Sequence, residues 1–153
     1  MNKAKVLIEG YAKEVEGGEV ASSTTVLVES RGKRIIVDPG INRKLLLKKL
    51  KENRLVTSDI DCVFMTHYHP DHVFLASIFN KAIIFDGDTI YDEDKKRSFS
   101  GNLPGTDIKV IPTPGHAHEH CSLLVPTENS GDVAIAGDVF WWDNGEKQKT
   151  DRK

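Results

Sequence analysis

All six histidines of the chain lie in two short stretches, residues 67–72 and residues 116–120. His67 and His69 are separated by one residue, and in an extended or tightly turned segment this spacing lets both rings reach one metal ion. Neutral imidazole is a favoured ligand of zinc and of other borderline metals. The clustered histidines therefore predict a metal site.

Further ligand-type residues accompany this pair. Asp71 and His72 follow within one more turn, so a carboxylate and a third imidazole can face a second ion beside the first. His116 and Asp138 come from two other segments and supply ligands that a single loop cannot. The predicted metal ligands are His67, His69, Asp71, His72, His116 and Asp138.

His118 and His120 alternate with His116, and an extended segment would place all three on the same side. Isolated histidines are more often surface or core residues than ligands, which is the interpretation we favour for these two. Roles in binding substrate or in orienting the ligands stay open as alternatives.

The segments that carry these residues are predicted to follow β-strands. The apolar run Cys62–Met65 leads into the first histidine cluster, and Ile108–Ile111 leads into the second. The run Val133–Ala136 ends at Gly137-Asp138. Every residue set with metal-ligand chemistry thus stands at the end of a strand.

Strands and two helices account for the other elements. The β-branched runs Thr24–Glu29 and Arg34–Val37 predict a hairpin, and the leucines of Arg43–Asn53 predict an amphipathic surface helix. Further strands are predicted at Ala4–Glu9, Ala82–Phe85 and Cys121–Val125, a helix at Val73–Phe79, and loops from Gly10 to Ala21 and from Asp92 to Asp107.

The composition describes one globular domain. Of the 153 residues, 39% are hydrophobic and 29% are charged. Residues 1–142 are predicted to form the domain and residues 143–153 a polar tail. The formal net charge of −2 gives no global positive field, so nucleic acid is not an expected partner.

The location of the protein is predicted from what the chain lacks. No apolar run approaches the roughly 20 residues needed to cross a bilayer, and the first ten residues lack the pattern of a signal peptide. Cys62 and Cys121 are too few for a disulfide framework. We expect a cytoplasmic protein with two buried thiols and no membrane contact.

The motifs resemble those of the metallo-β-lactamase superfamily. Thr66–His72 is similar to its His-x-His-x-Asp-His signature, and Thr113–His116 and Ala136–Asp138 are similar to its next two motifs in the same order. Asp38-Pro39-Gly40 resembles a further family element, so the similarity spans residues 4 to about 142. Gly137–Phe140 is most similar to the metallo-β-lactamase-domain-containing hydrolases of archaea and animals.

The resemblance implies an α/β (α+β) fold, an αββα sandwich in which two mixed β-sheets lie face to face between helices. It also implies two divalent metal ions, foremost zinc, with manganese and iron as alternatives. Carried over position by position, the ligands of the first ion are His67, His69 and His116, those of the second are Asp71 and His72, and the bridge is Asp138.

The chain departs from the family pattern after the bridging aspartate. Family members usually continue to a final Gly-His turn that completes the second metal site, whereas no histidine follows His120 here. The resemblance therefore implies a shortened carboxyl-terminal part or an incomplete second site. Phe74 also stands where the family often has a glycine.

The leading functional interpretation is a metal-dependent hydrolase. A metal-bound hydroxide would cleave an ester, thioester, amide or phosphodiester of a small-molecule substrate. Asp71 is the predicted catalytic residue, because it would hold the second ion and orient the attacking water.

Two other interpretations stay open. An oxidoreductase similar to the mononuclear-iron persulfide dioxygenases shares the motif and needs only one metal ion. A metal-binding domain with an incomplete second site and little activity is the other possibility, and there Trp141-Trp142 is either a contact surface of a homo-oligomer or part of the core.

Overall fold

The computed structural model of the protein describes residues 1–141 and 149–150. In this part of the chain there is no helix with the length and apolar character that a membrane crossing requires. The cytoplasmic location stays a prediction. So does the boundary at residue 142, because the tail lies outside the described residues apart from residues 149–150.

Strands predominate over helices. The helices are α1 (Arg43–Glu52) and α2 (Pro70–Val73), with short 3-10 turns at Thr57–Asp59, Ala76–Ile78 and Gly137–Val139. The strands are β1 (Asn2–Ile8), β2 (Tyr11–Val15), β3 (Gly18–Ser22), β4 (Thr25–Ser30), β5 (Lys33–Val37), β6 (Cys62–Phe64), β7 (Ile83–Phe85), β8 (Thr89–Asp92), β9 (Lys95–Ser98), β10 (Lys109–Pro112), β11 (Cys121–Thr127), β12 (Gly131–Ile135), β13 (Phe140–Trp141) and β14 (Lys149–Thr150).

One hydrogen-bonded sheet forms both layers of the sandwich. The strand order is β10-β11-β1-β4-β5-β6-β7-β8-β9, and β12 pairs with β11. The first layer consists of β1 and β4–β9, and the second layer consists of β10–β12. The layers are joined where β1 and β11 share the pair Asn2↔Thr127. The two predicted sheets are therefore the two halves of one curled sheet.

Two apolar cores hold the layers. The first lies between the layers and combines residues of the first layer, such as Ile35 and Phe64, with residues of the second, such as Leu123 and Val125. The second core lies between the first layer and α1, which contributes Leu46 and Leu50. The helix thus covers the outer face of the first layer, as its leucine pattern predicted.

Helix α1 ends where the sequence indicated and begins with a side-chain cap. Asn42 Oδ1 accepts a hydrogen bond from the amide of Leu45 at 3.1 Å and satisfies one of the amides that a helix leaves without a partner. Leu46 and Leu50 are buried, whereas Leu47 is 40% exposed. The apolar stripe is therefore narrow and faces the sheet.

Two predicted loops contain β-strands: β2 and β3 occupy most of the first, and β9 lies within the second, whose residues 99–107 belong to no strand. β2 pairs with β3, and β8 pairs with β9 around Glu93, which has a positive φ. All residues of β2 and β9 are exposed. Because neither strand has a buried face, its sequence carries no alternation of apolar and polar residues that would predict the strand.

The helix predicted at Val73–Phe79 is wrong in its position and length. Helix α2 begins earlier, at Pro70, whose fixed φ suits the first position of a helix. It ends after Val73 because the amide of Leu75 donates to the Gly40 carbonyl at 3.1 Å, rather than back along the helix. Contacts with the Gly40 loop thus replace the hydrogen bonds that would have continued the helix.

Three parallel strands bring loops to the same edge of the first layer. β6 is parallel to both β5 and β7. Asp38 follows β5, the first histidine cluster follows β6, and Asp86 follows β7. In the second layer His116 follows β10 and Asp138 follows β12. The topology thus places the segments that carry histidine and carboxylate side chains at one edge of the sandwich.

Candidate metal centre

His67, His69 and His116 form one group of possible metal ligands. One nitrogen from each ring lies within 4.8 Å of the others. His69 Nδ1 and His116 Nε2 are 2.8 Å apart. His67 is buried, and its Nε2 has no hydrogen-bond partner among the residues that the structure describes. The structure therefore brings together the three residues predicted to hold a first ion.

The protonation of His67 suits metal binding. The hydroxyl of Thr66 donates to Asp38 Oδ2 at 2.7 Å, so it can only accept from His67 Nδ1, which lies 3.0 Å away. This contact fixes the proton on Nδ1 and leaves the lone pair of Nε2 free. Burial and the charge of His72 lower the pKa of His67 to about 3, which keeps the ring neutral. A buried lone pair without a donor is the feature that a metal ion would satisfy.

A second group consists of His67, His72 and Asp138. Their ligand atoms also lie within 4.8 Å of one another. His72 Nε2 is 3.2 Å from Asp138 Oδ1, and His116 Nε2 is 3.6 Å from Asp138 Oδ2. The two oxygens of Asp138 thus face His72 and His116, and its place between two ions stays a prediction.

Asp71 lies beside the second group rather than within it. Its Oδ2 is 3.9 Å from His72 Nε2, and its side chain is about one-third exposed. Its carbonyl accepts a hydrogen bond from the Ser23 amide at 3.0 Å, which ties the loop to the end of β3. The catalytic role of Asp71 stays a prediction.

Asp38 orients the second group, a role that the sequence analysis did not assign. Its Oδ1 accepts from the amide of Thr66 at 2.8 Å, and its Oδ2 accepts from His72 Nδ1 at 2.9 Å. Asp38 is buried and has a positive φ of 49°. A carboxylate that holds one ring nitrogen of a histidine directs the other nitrogen toward a metal. The Asp38-Pro39-Gly40 motif was the available signal.

The charges of the second group depend on one another. Burial by itself lowers the pKa of His72, but hydrogen bonds to Asp138 and Asp38 outweigh it and raise the pKa to about 10. Burial by itself raises the pKa of Asp138, but the hydrogen bond and charge of His72 lower it overall. In the metal-free protein a protonated His72 therefore neutralises carboxylates that a metal ion could neutralise instead.

Tyr68 anchors the loop between His67 and His69. Its hydroxyl donates to Asp86 Oδ2, which also accepts from the hydroxyl of Tyr91 at 2.8 Å. Asp86 Oδ1 accepts the amides of Asp88 and Thr89 at 3.1 and 2.7 Å. A buried carboxylate at the end of β7 thus fixes the middle of the His-x-His segment, and sequence spacing gave no sign of this contact.

The other two histidines differ from each other. His118 is exposed and belongs to neither group of donors found in residues 1–141. His120 is 1% exposed, contacts the side chain of Thr113 and accepts from the amide of Asp138. The interpretation of both as non-ligand residues agrees with these positions.

Two groups of histidine and carboxylate ligands at one edge of a two-layered sandwich are typical of a class of metal-binding α/β proteins. The sequence profile of the metallo-beta-lactamase superfamily matches residues 18–97. Metallo-beta-lactamase domain-containing protein 1 of Xenopus laevis is 32% identical over 144 residues, which cover 88% of this chain and 62% of that protein. The chain belongs to the metallo-beta-lactamase superfamily.

Two further relatives bear on the fold and on the reaction. The crystal structure of a candidate metallo-beta-lactamase from Thermotoga maritima matches with a TM-score of 0.73 and 29% identity, over 88% of this chain and 77% of that chain. The hydroxyacylglutathione hydrolase of Klebsiella pneumoniae is 28% identical over 121 residues, or 73% of this chain and 47% of that enzyme. The predicted fold is thus confirmed. The chain spans about half to two-thirds of the length of these curated relatives.

Proposed function

We propose that this chain is a metal-dependent hydrolase of small esters or thioesters. The observation that carries the proposal is the pair of donor groups that share His67 and face the two oxygens of Asp138. The similarity to a hydrolase that acts on hydroxyacylglutathione, a thioester, supports the choice of substrate class. Amides and phosphodiesters are the next substrates to test.

The residues present fit divalent metal ions. His67, His69 and His116 would hold one ion, and His72, Asp138 and the adjacent Asp71 would hold another. Bound divalent ions supply a Lewis acid for the substrate oxygen and lower the pKa of water from 15.7 toward about 7. Zinc suits this mixture of imidazole and carboxylate, and manganese and iron suit it as well.

The chain's own side chains supply orientation. Asp38 holds His72 by its Nδ1, and Thr66 holds His67 by its Nδ1, so both Nε2 atoms face the interior of the site. Asp71 carries a partly exposed carboxylate beside the second group. There it can accept a proton from an attacking water and orient the lone pair of the water oxygen toward the substrate. We assign Asp71 to that role.

The test compares two histidines of the same loop. Metal content of the protein, purified without chelator or nickel resin, is measured by plasma mass spectrometry, followed by assays of hydroxyacylglutathione, p-nitrophenyl acetate and bis-p-nitrophenyl phosphate. His116→Ala should lose an ion and hydrolysis, whereas the matched control His118→Ala should retain both. Asp71→Asn should lose hydrolysis by about 100-fold or more while it retains the first ion.

Other outcomes would favour the alternatives. About one iron per chain with no hydrolysis would favour the persulfide dioxygenase-like oxidoreductase. A chain that binds no metal ion, or hydrolysis that survives in His116→Ala, would contradict the proposed metal centre.

A further inference from the structure

His120 lies against the metal centre without belonging to either group of ligands. Its ring is buried, and both ring nitrogens have hydrogen-bond partners. Nε2 is 3.1 Å from the amide nitrogen of Asp138, and Nδ1 is 2.9 Å from Thr113 Oγ1. The side chain thus connects two loops, each of which carries a proposed ligand.

These contacts define a single tautomer. An amide can only donate, so His120 Nε2 must accept and the proton must reside on Nδ1. The Nδ1 proton is then donated to Thr113 Oγ1, whose own hydroxyl proton can go to Ser122 Oγ at 2.8 Å. The Thr113 amide also donates to the His120 carbonyl at 2.9 Å. The imidazole is therefore fixed in one orientation from the side of β10 and β11.

Gly137 lets the chain approach this ring closely. It has a positive φ of 51°, and a Cβ atom at this position would lie 2.7 Å from both His120 Nε2 and Thr66 Oγ1. Real Cβ atoms do not come so near to other heavy atoms, so a side chain here would push the loop away from His120. The glycine thus allows the next amide, that of Asp138, to reach the ring.

The position of the Asp138 backbone determines where its carboxylate lies. One carboxylate oxygen is 3.2 Å from His72 Nε2, and the other is 3.6 Å from His116 Nε2. Thr113 is three residues before His116, so the same imidazole ties the His116 loop to the Asp138 loop. A loss of the Asp138 contact would leave the carboxylate free to move away from the second group.

We propose that His120 is a positioning residue that sets the Asp138 carboxylate between the two groups of metal ligands by accepting the Asp138 amide. This inference rests on the proposed metal centre. It assigns to His120 a main-chain contact rather than a metal contact, and it makes the affinity for the second ion depend on the acceptor at Nε2.

Two substitutions separate the contacts of the ring. Glutamine places its terminal amide near the position of Nε2, so His120→Gln retains an acceptor for the Asp138 amide. Asparagine places its amide near Nδ1, so His120→Asn retains the contact with Thr113 and loses the acceptor. Zinc is titrated into each metal-free 153-residue variant against a chelating dye, and the melting temperature is recorded alongside.

We expect the two variants to differ in their affinity for one of the two ions only. His120→Asn should bind the second zinc ion about 10- to 100-fold more weakly, which is the usual effect of losing a partner that orients a ligand. His120→Gln should bind both ions with close to native affinity. The first ion should keep close to native affinity in both variants, because the imidazoles of His67, His69 and His116 would still hold it. If His120 had a purely structural role, both variants would have lower melting temperatures, but their affinities for the second ion would be equal.

Equal affinity of the two variants for the second ion would overturn the proposal, whether both are native-like or both are weakened. A native chain that binds no second ion would overturn the metal centre as well, which separates the two failures.

A second pair of variants covers the case in which His120 substitutions prevent folding. Thr113 is only half-buried, so Thr113→Val and Thr113→Ser should both fold. Valine removes the acceptor that fixes the Nδ1 proton, so Thr113→Val should bind the second ion more weakly. Serine retains the hydroxyl, so Thr113→Ser should bind it with native affinity. An unchanged affinity in Thr113→Val would contradict the role of the fixed tautomer.

Discussion

His72 has to lose a proton before its Nε2 can bind a metal ion. The hydrogen bonds to Asp138 and Asp38 outweigh burial and hold its pKa at about 10 in the metal-free protein. His67 has a pKa of about 3 and is already neutral. Of the two imidazoles in the second group, His72 is therefore the one whose proton competes with a metal ion.

We predict that affinity for the second ion rises with pH. Between pH 6 and pH 9 the proton on His72 competes with the metal, and each unit of pH should strengthen binding by about tenfold. Calorimetry in buffers of different ionisation enthalpy should also record a proton released on binding. An affinity that is constant over this range, with no proton released, would contradict the charge assigned to His72.

Asp38→Asn is the matching variant for this prediction. Removing the Asp38 charge removes one cause of the raised pKa of His72, so the rise in affinity should level off at a lower pH than in the native chain. The variant retains a polar side chain of the same size. If its profile matches the native one, Asp38 does not set the charge of His72.

At the scale of elements, helix α1 stabilises the first layer through a narrow apolar stripe. Leu50 is 1% exposed and belongs to the core between the helix and the sheet. Leu47, on the same helix, is 40% exposed. The helix lies on the opposite side of the first layer from the core shared with the second layer, so its packing can be tested separately from the metal centre.

Leu50→Ala should lower the free energy of unfolding by about 2–5 kcal/mol, the usual cost of a buried leucine side chain and the cavity it leaves. Leu47→Ala is the control on the same helix and should change it by no more than about 0.5 kcal/mol. Urea denaturation followed by circular dichroism measures both. Equal effects of the two substitutions would mean that the helix does not pack on the sheet through Leu50.

The sequence predicts some elements better than others. Helix α1 buries one face, so its leucines recur with the helical period, whereas β4, β5 and β6 are largely buried, so their sequences are short runs of apolar residues. β2 and β9 are exposed along their whole length and have no such pattern. The early end of α2 depends on a hydrogen bond to Gly40, which is distant in sequence.

The same distinction applies to the site. The spacing of His67 and His69 within one loop is visible in the sequence, and the resemblance places His116 and Asp138 beside them. The contacts of Asp38 with His72 and of Asp86 with Tyr68 join residues 34 and 18 positions apart. Such pairs of unlike residues have no fixed spacing, so spacing does not reveal which carboxylates orient the ligands, and the Asp38-Pro39-Gly40 motif was a signal for Asp38 alone.

At the scale of the whole molecule, the two cysteines report on the packing of the layers. Cys62 belongs to the first layer, Cys121 belongs to the second, and both are part of the core between them. Burial raises the pKa of Cys62 to about 11 and that of Cys121 to about 12. Both thiols are therefore protonated and shielded in the folded protein, as the sequence analysis expected.

We predict that neither thiol reacts with Ellman's reagent at pH 7.5 in the native protein. A pKa raised from 9.0 to about 11 reduces the thiolate fraction about a hundredfold, and burial also blocks access. Two thiols per chain should react in urea, at a rate that rises with the unfolded fraction. Rapid reaction of one thiol without denaturant would contradict the packing of the two layers around it.

Strand β9 has consequences for how copies of the chain meet in solution. In the described part of the chain it is the outermost strand of the first layer, and Lys95, Lys96 and Arg97 follow one another along its exposed length. An open strand edge is a template for pairing with another chain, and clustered positive charge opposes that pairing because like charges would be brought together. The repulsion is screened by salt over roughly 10 Å at 0.1 M ionic strength. Association through this edge should therefore increase as salt is added, which is the opposite of an association held by ion pairs.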